Sequence, residues 1–165
     1  MISSKQLTDI RQRQVGLMQK TLQLWQNVIS QVTQEEATTY RDGPDGWTVL
    51  EVLGHIRDFD GFFLGRAKMM LEQDMPQLPR YDHEAIAIEQ AYNKQDLQTV
   101  IAELTASREA FIAFFQGLDD EQWERAGIHP ERGEFNMLDA AIQVGGHDVN
   151  HLEQVTRILK QREEK

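Results

Sequence analysis

Apolar residues recur at steps of three and four along four long segments of the chain, and this period restricts the fold more than any other feature. In the first segment the predicted inward seam is Leu7, Ile10, Gln14, Leu17, Thr21, Leu24 and Val28. The segments run over Ser4–Ser30, Thr48–Gln73, Asp96–Gln116 and Asn136–Gln161. An amphipathic helix buries its stripe against other helices, so we expect an all-α protein, a four-helix bundle that forms one domain over residues 1–165.

Turn-forming residues separate these segments. Thr33 to Gly46 is predicted to be a loop, because Asp42-Gly43-Pro44-Asp45-Gly46 is a strong helix-breaking cluster. Gly127 to Gly133, which includes His129-Pro130, is also predicted to be a loop, and one short helical turn is expected over Asp119–Arg125. The connection between the second and third helices, Asp74–Gln95, is long enough to cross or cap the bundle and is expected to hold a short helix over Asp82–Tyr92.

Charge and composition exclude several classes of function. The formal net charge is −10 and no run of Lys and Arg is present, so a nucleic-acid backbone would be repelled. No apolar stretch approaches the length of a membrane span, and Met1 to Gln14 lacks the apolar region of a secretory signal, so we expect a cytoplasmic protein. The chain has no cysteine, and any reactive thiol must therefore come from a bound molecule.

Three histidines are the main functional signal. His147 and His151 lie four residues apart in the fourth helix, which places them on one face, and His55 lies on the inward arc of the second helix. If these faces pack together, three imidazoles converge, as in metal sites that keep a coordination position free for a water or a substrate. The spacing alone also allows His55 to be a hydrogen-bonded core residue and His147 an exposed one.

Two motifs around these histidines resemble a known family. The segment from Gly46 to Ile56, GWTVLEVLGHI, resembles the W-[ST]-x-x-E-x-x-x-H pattern of the DinB-like family, and His147 to Val155, HDVNHLEQV, resembles its H-x-x-x-H-x-x-Q-[IV] ending. Order and spacing agree over nearly the whole chain. The resemblance implies a four-helix bundle, a homodimer in many members, and a divalent metal held by His55, His147 and His151.

For activity, the resemblance implies either transferases and isomerases that use a low-molecular-weight thiol, or metal-dependent hydrolases. Both are enzymes that act on small molecules at the metal, and three imidazoles suit zinc, nickel or iron. The motif offers no compelling general base, which slightly favours a thiolate nucleophile over water. The alternative is a non-catalytic, stress-related metal-binding or scaffold protein.

Glu51 and Arg108 are further candidates, each with two interpretations. Glu51 lies one turn before His55 and could act as a catalytic base or orient that histidine, but it also completes a capping box with Thr48, which we favour. Arg108 interrupts the apolar seam of the third helix. It could bind an anionic substrate, or it could form a buried ion pair with Asp148 or Asp58, which we favour.

The other two histidines, His83 and His129, fall in predicted connections. Each is expected to be an exposed surface residue.

Overall fold

The four predicted helices form a bundle in the computed structural model, which describes residues 3–164. The long helices are α1 Ser4–Ile29, α3 Val49–Glu72, α5 Leu97–Gln116 and α7 Met137–Leu159, and the short ones are α2 Gln34–Thr39, α4 His83–Glu89 and α6 Asp120–Trp123. Both α1 and α3 pack against α5 and α7, so α1 and α3 occupy opposite corners. The predicted bundle is confirmed; residues 1, 2 and 165 of the predicted domain lie outside the described part.

Capping boxes define where the long helices begin. The Thr48 side chain accepts a hydrogen bond from the backbone N–H of Glu51, and Oε2 of Glu51 accepts one from the backbone N–H of Thr48 at 2.7 Å. Asn136 and Asp139 exchange the same pair of bonds at the start of α7. Each reciprocal pair satisfies N–H groups that the first helical turn leaves free.

The predicted seam of α1 is wrong by one position for most of its length. The buried residues are Arg11, Val15, Met18, Thr21, Leu22, Trp25 and Ile29, whereas Leu24 is 41% exposed. The predicted and the observed series both follow the helical period. They differ by one residue, which corresponds to a rotation of about 100° around the axis of α1. The observed rotation buries Met18 and Trp25 completely and leaves Leu24 exposed.

Two of the predicted loops contain regular structure. The short helix α2 lies within Thr33–Gly46, where Thr33 caps it and Ala37 is fully buried. The predicted loop at Gly127–Gly133 belongs to a hairpin of β1 Ala126–His129 and β2 Gly133–Asn136. A small, local hairpin of this kind has too few alternating residues to be detected from periodicity.

The long connection is anchored at both ends. The backbone around Pro76 and Leu78 pairs with Ile128 of β1, with N···O distances of 2.8 and 2.9 Å. Further on, α4 and a 3-10 turn at Tyr92–Lys94 replace the single predicted helix. Tyr92 packs against Gly54, where an added Cβ would lie 2.6 Å from the tyrosine ring. In the part of the chain that the structure describes, every helix is too short or too polar to cross a membrane.

A layer of buried polar side chains divides the core into two apolar clusters. Arg108 donates from Nε and Nη2 to Asp60 at 2.8 and 2.9 Å, and from both Nη atoms to Asp148. The predicted Arg108–Asp148 pair is therefore confirmed. The Asp58 alternative is wrong, because Asp58 accepts from Tyr92 Oη at 2.7 Å and pairs with Arg57.

Candidate metal centre

The three predicted histidines meet between α3 and α7. Nε2 of His55 lies 2.9 Å from Nε2 of His147, which lies 3.2 Å from Nε2 of His151. One ring nitrogen from each residue falls within 4.8 Å of the other two. The His55 side chain is buried and the other two are half-buried, so the site has a closed floor and an accessible side.

The His55–His147 and His147–His151 distances each fit a pair of ligands on one ion. Imidazole nitrogens bind zinc at about 2.0–2.1 Å, so two of them on one ion at angles of 90–109° are separated by about 2.9–3.4 Å. Nδ1 of His151 lies 2.8 Å from Oε1 of Gln154, an acceptor, so Nδ1 carries the proton and the Nε2 lone pair faces the other rings. The donor set is therefore that of a transition-metal site.

The electrostatics of the site keep the rings neutral. Burial, together with the nearby imidazoles, lowers the pKa of His55 to about 2 and that of His147 to about 3. Burial also lowers the pKa of His151, although its bond to Gln154 acts in the opposite sense. The neutral imidazole is the form that binds metal, so all three rings are ready to bind at neutral pH.

A polar chain fixes the orientation of His151. Gln154 holds its Nδ1–H and donates through Nε2 to Asp42 Oδ2 at 3.2 Å. Asp42 in turn accepts from Arg157 at 2.8 and 3.0 Å. The sequence did not predict this series of hydrogen bonds, although the position of Gln154 three residues after His151 indicates the contact between these two side chains. Such outer contacts hold a ligating ring in one tautomer and one rotamer.

The other two rings are positioned by packing and by the buried polar layer. His55 lies with its ring centre 4.9 Å from that of Trp47 and 4.1 Å from that of Phe59. Within residues 3–164, Nδ1 of His55 is buried with no hydrogen-bond partner. His147 precedes Asp148, whose carboxylate is held by Arg108. This ion pair therefore fixes the rotation of α7 at the level of His147.

A cavity of about 520 Å³ opens beside the histidines. Its walls include Trp47, Phe59 and the exposed side chain of His83, whose ring centre lies 6.1 Å from that of His55. The predicted surface histidine His83 thus stands at the mouth of the site, because the long connection folds back over it. This cavity can admit a small molecule to the three Nε2 atoms.

The remaining predicted site residues lie elsewhere. Glu51 makes the capping contacts at the start of α3, and the guanidinium of Arg108 is enclosed by Asp60 and Asp148. Neither side chain is among the residues that line the histidine cavity. His129 was predicted to be exposed; this is wrong, because the hairpin buries it to 6% exposure beside Arg66.

The chain belongs to the DinB superfamily, whose family model matches residues 16–155. The protein named "Putative metal-dependent hydrolase OB0413", from Oceanobacillus iheyensis, is 27% identical over 132 residues, which cover 80% of this chain and 75% of that protein. "Putative metal-dependent hydrolase YfiT" from Bacillus subtilis is 28% identical over 124 residues, or 74% of this chain and 68% of that one.

Two solved structures share the fold. The structure of YfiT from Bacillus subtilis, described as a probable metal-dependent hydrolase with an unusual four-helix bundle topology, superposes with a TM-score of 0.84 at 22% identity, covering 98% of this chain and 90% of that one. The crystal structure of a mycothiol-dependent maleylpyruvate isomerase superposes with a TM-score of 0.74 at 8% identity, covering 88% of this chain and 60% of that one.

Proposed function

We propose that this protein is a divalent-metal-dependent enzyme that acts on a small molecule at His55, His147 and His151. The observation that carries the proposal is the approach of three Nε2 atoms, 2.9 and 3.2 Å apart in succession, at the wall of an open cavity. A metal with only three protein ligands keeps a position for a reactant, which is typical of catalytic rather than structural sites.

When bound, a divalent ion supplies Lewis acidity and lowers the pKa of a water or thiol that ligates it. The residues of the chain hold and orient the ligands: Gln154 keeps the proton of His151 on Nδ1, and Trp47 and Phe59 shield His55 from water. Zinc, nickel and iron all suit three imidazoles, so the proposal covers these ions.

Hydrolysis is the first candidate reaction. It is supported by the names of the relatives, which are 24–28% identical to this chain and are called putative metal-dependent hydrolases. In a hydrolysis the nucleophile is water, and the cavity beside the histidines is large enough for a small ester or amide.

Transfer of a low-molecular-weight thiol to an electrophile is the second candidate. It is suggested by the mycothiol-dependent isomerase that shares this fold. Of the carboxylates on the cavity wall, Asp42 is engaged by Gln154 and Arg157, whereas Asp45 and Glu84 are exposed. A bound thiolate needs no further deprotonation. The thiol would come from the second substrate, since the chain has no cysteine.

The test begins with metal content. Protein purified without a nickel column is analysed by mass spectrometry for bound metal, and His147→Ala is compared with Asn150→Ala, an exposed substitution on the same turn of α7. We expect about one ion per chain in the wild type and in Asn150→Ala, and loss of the ion in His147→Ala.

Activity is then measured on metal-loaded protein with a panel of esters and amides and with a panel of thiols and electrophiles. Turnover that disappears in His147→Ala supports the enzyme and identifies which reaction occurs. Full metal occupancy with no turnover in either panel would instead support the non-catalytic metal-binding or scaffold alternative.

The predicted homodimer and the cytoplasmic location remain part of this proposal. The partners we propose are small molecules, without nucleic acid or membrane. Light scattering on the purified protein measures its mass in solution, and a value of 19.1 kDa, that of one chain, would contradict the dimer.

A further inference from the structure

A second cavity of about 780 Å³ adjoins the histidine cavity and shares Phe59, His83 and Glu84 with it. Its other walls include Phe63, Arg66, Tyr81 and His129. The three histidines line the first cavity, and a buried arginine, Arg66, lines the second. The proposed function does not use that arginine.

Arg66 is a buried cation without an anionic partner. Its side chain is 6% exposed, and Nε and Nη2 donate to the carbonyl oxygen of Pro79 at 3.1 and 2.6 Å. Within residues 3–164, no carboxylate lies within ion-pair distance of its guanidinium, whereas Arg80 at the rim pairs with Glu131 at 3.3 Å. Burial of an unpaired charge is costly, so this position favours an anion from outside the chain.

His129 faces two donors with one acceptor. The backbone N–H of Glu131 lies 3.2 Å from Nδ1 of His129, and Nη1 of Arg66, which can only donate, lies 3.1 Å from its Nε2. A neutral imidazole has one acceptor nitrogen, so in either tautomer one of these contacts sets an N–H group against another N–H group. Two N–H groups side by side need a common acceptor, and one oxygen atom placed between them would satisfy both.

We propose that Arg66 and His129 bind the carboxylate of an organic substrate whose reacting end lies at the three histidines. A carboxylate offers two acceptor oxygens in one plane and matches the geometry of a guanidinium. Phe59, Phe63 and Tyr81 line the path between the two ends, which suits an apolar or aromatic body. Phe59 stacks on His147 with ring centres 5.7 Å apart, so the path leads to the metal ligands.

The carboxylate site depends on the proposed function only for the placement of the reacting end, and it can be tested by binding alone. Benzoate and benzamide, which have the same shape but differ in charge, are titrated calorimetrically into metal-free and zinc-loaded protein. We expect benzoate to bind both forms, and to bind at least about tenfold more tightly than benzamide, because only the anion pairs with the guanidinium.

Arg66→Met is the test variant and Arg80→Met is its matched control at the rim of the same cavity. We expect Arg66→Met to weaken benzoate binding by at least about tenfold and Arg80→Met to change it by less than about threefold. Equal binding of benzoate and benzamide, or benzoate binding unchanged in Arg66→Met, would overturn the inference.

A measurement on the wild type covers the case in which Arg66→Met does not fold. Nitrogen NMR reports on the His129 ring, and benzoate should shift the ring signals. No shift at saturating benzoate would overturn the inference.

The outcomes separate the two proposals. Benzoate binding that needs zinc and ignores Arg66 refutes the carboxylate site and leaves the proposed enzyme intact. Binding that depends on Arg66, in a protein that turns over no substrate of either panel, refutes the proposed function instead.

Discussion

Arg108 of α5 and Asp148 of α7 form a bidentate ion pair in the centre of the bundle, one residue from the candidate metal ligand His147. Both side chains are fully buried, and Asp60 of α3 binds the other side of the guanidinium. Burial, with Asp148 close by, raises the pKa of Asp60 to about 6 in spite of Arg108. The ion pair thus ties the three helices together at the level of the candidate site.

Replacement of Arg108 by Met should strongly destabilise the protein, because two buried carboxylates lose their cation. We expect the free energy of unfolding to fall by about 3–5 kcal/mol, measured by urea denaturation at pH 7. Arg13→Met, which breaks an exposed pair with Asp9 on α1, is the control and should have little effect. Similar losses in both variants would show that the buried pair has no special role.

Loss of the Gln154 amide should weaken metal binding without unfolding the chain. In Gln154→Ala, Nδ1 of His151 loses its acceptor, and we expect metal affinity to fall by about 10–100-fold in competition with a chromophoric chelator. Gln154→Glu keeps an acceptor oxygen for Nδ1 but sets a second carboxylate against Asp42, so it should retain part of the affinity. If Gln154→Ala binds metal as the wild type does, the ring needs no such support.

Zinc should stabilise the folded protein through the three histidines. A ligand that binds only the folded state adds about 4 kcal/mol at a free concentration 1,000 times its dissociation constant. We expect a chelator to remove this increment from the wild type, in thermal unfolding followed by circular dichroism. His147→Ala should show no increment at the same zinc concentration, and an equal increment there would place the bound zinc elsewhere.

The metal-free protein should lose stability as the pH falls below about 6.5, the ordinary pKa of histidine. The folded rings of His55 and His147 resist protonation, with pKa values of about 2 and 3, while the unfolded chain takes up protons. Each such ring costs about 1.4 kcal/mol of unfolding free energy per pH unit. Asp60, whose pKa is about 6, acts in the opposite direction but is a single group.

The measurement for this pH dependence is urea denaturation between pH 5 and 8 in the presence of a chelator. His147→Phe removes one titrating ring and should reduce the slope. Stability that is flat or increases on acidification to pH 5 would contradict the burial of neutral imidazoles.

Gly54 and Gly16 should respond in opposite ways to replacement by alanine. A Cβ at Gly54 would lie 2.6 Å from the buried ring of Tyr92, so Gly54→Ala should cost about 1–3 kcal/mol. Gly16 on α1 has open space around the same position, and Gly16→Ala should stabilise the helix by about 0.5–1 kcal/mol. Thermal unfolding compares the two, and equal effects would show that the Tyr92 contact is not tight.

Local patterns account for much of what could be predicted. The period of apolar residues and the caps at Thr48 and Asn136 predict the long helices, because both signals lie within a few residues of each other along the chain. The i, i+4 spacing of His147 and His151 likewise follows from helix geometry alone.

The rotation of α1 and the partner of Arg108 could not be obtained in this way. Two seams of α1 were compatible with the helical period, and only packing against α5 and α7 selects the one that contains Trp25. Asp58 lies three residues after His55 and Asp60 five, yet only Asp60 faces Arg108, since the interhelical angle and register decide which side chain reaches the guanidinium.

By itself, then, the sequence determined the four long helices and which histidines share a face, since these depend on neighbours in the chain. Only the tertiary structure decided that His129 is buried beside Arg66, that His83 stands over the three candidate metal ligands, and that Gln154 reaches Asp42. These contacts join residues 28 to 112 positions apart, such as His55 with His83 and Asp42 with Gln154, and depend on how the connections fold over the bundle. No local periodic pattern in the sequence encodes these contacts, because they result from the packing of the whole chain.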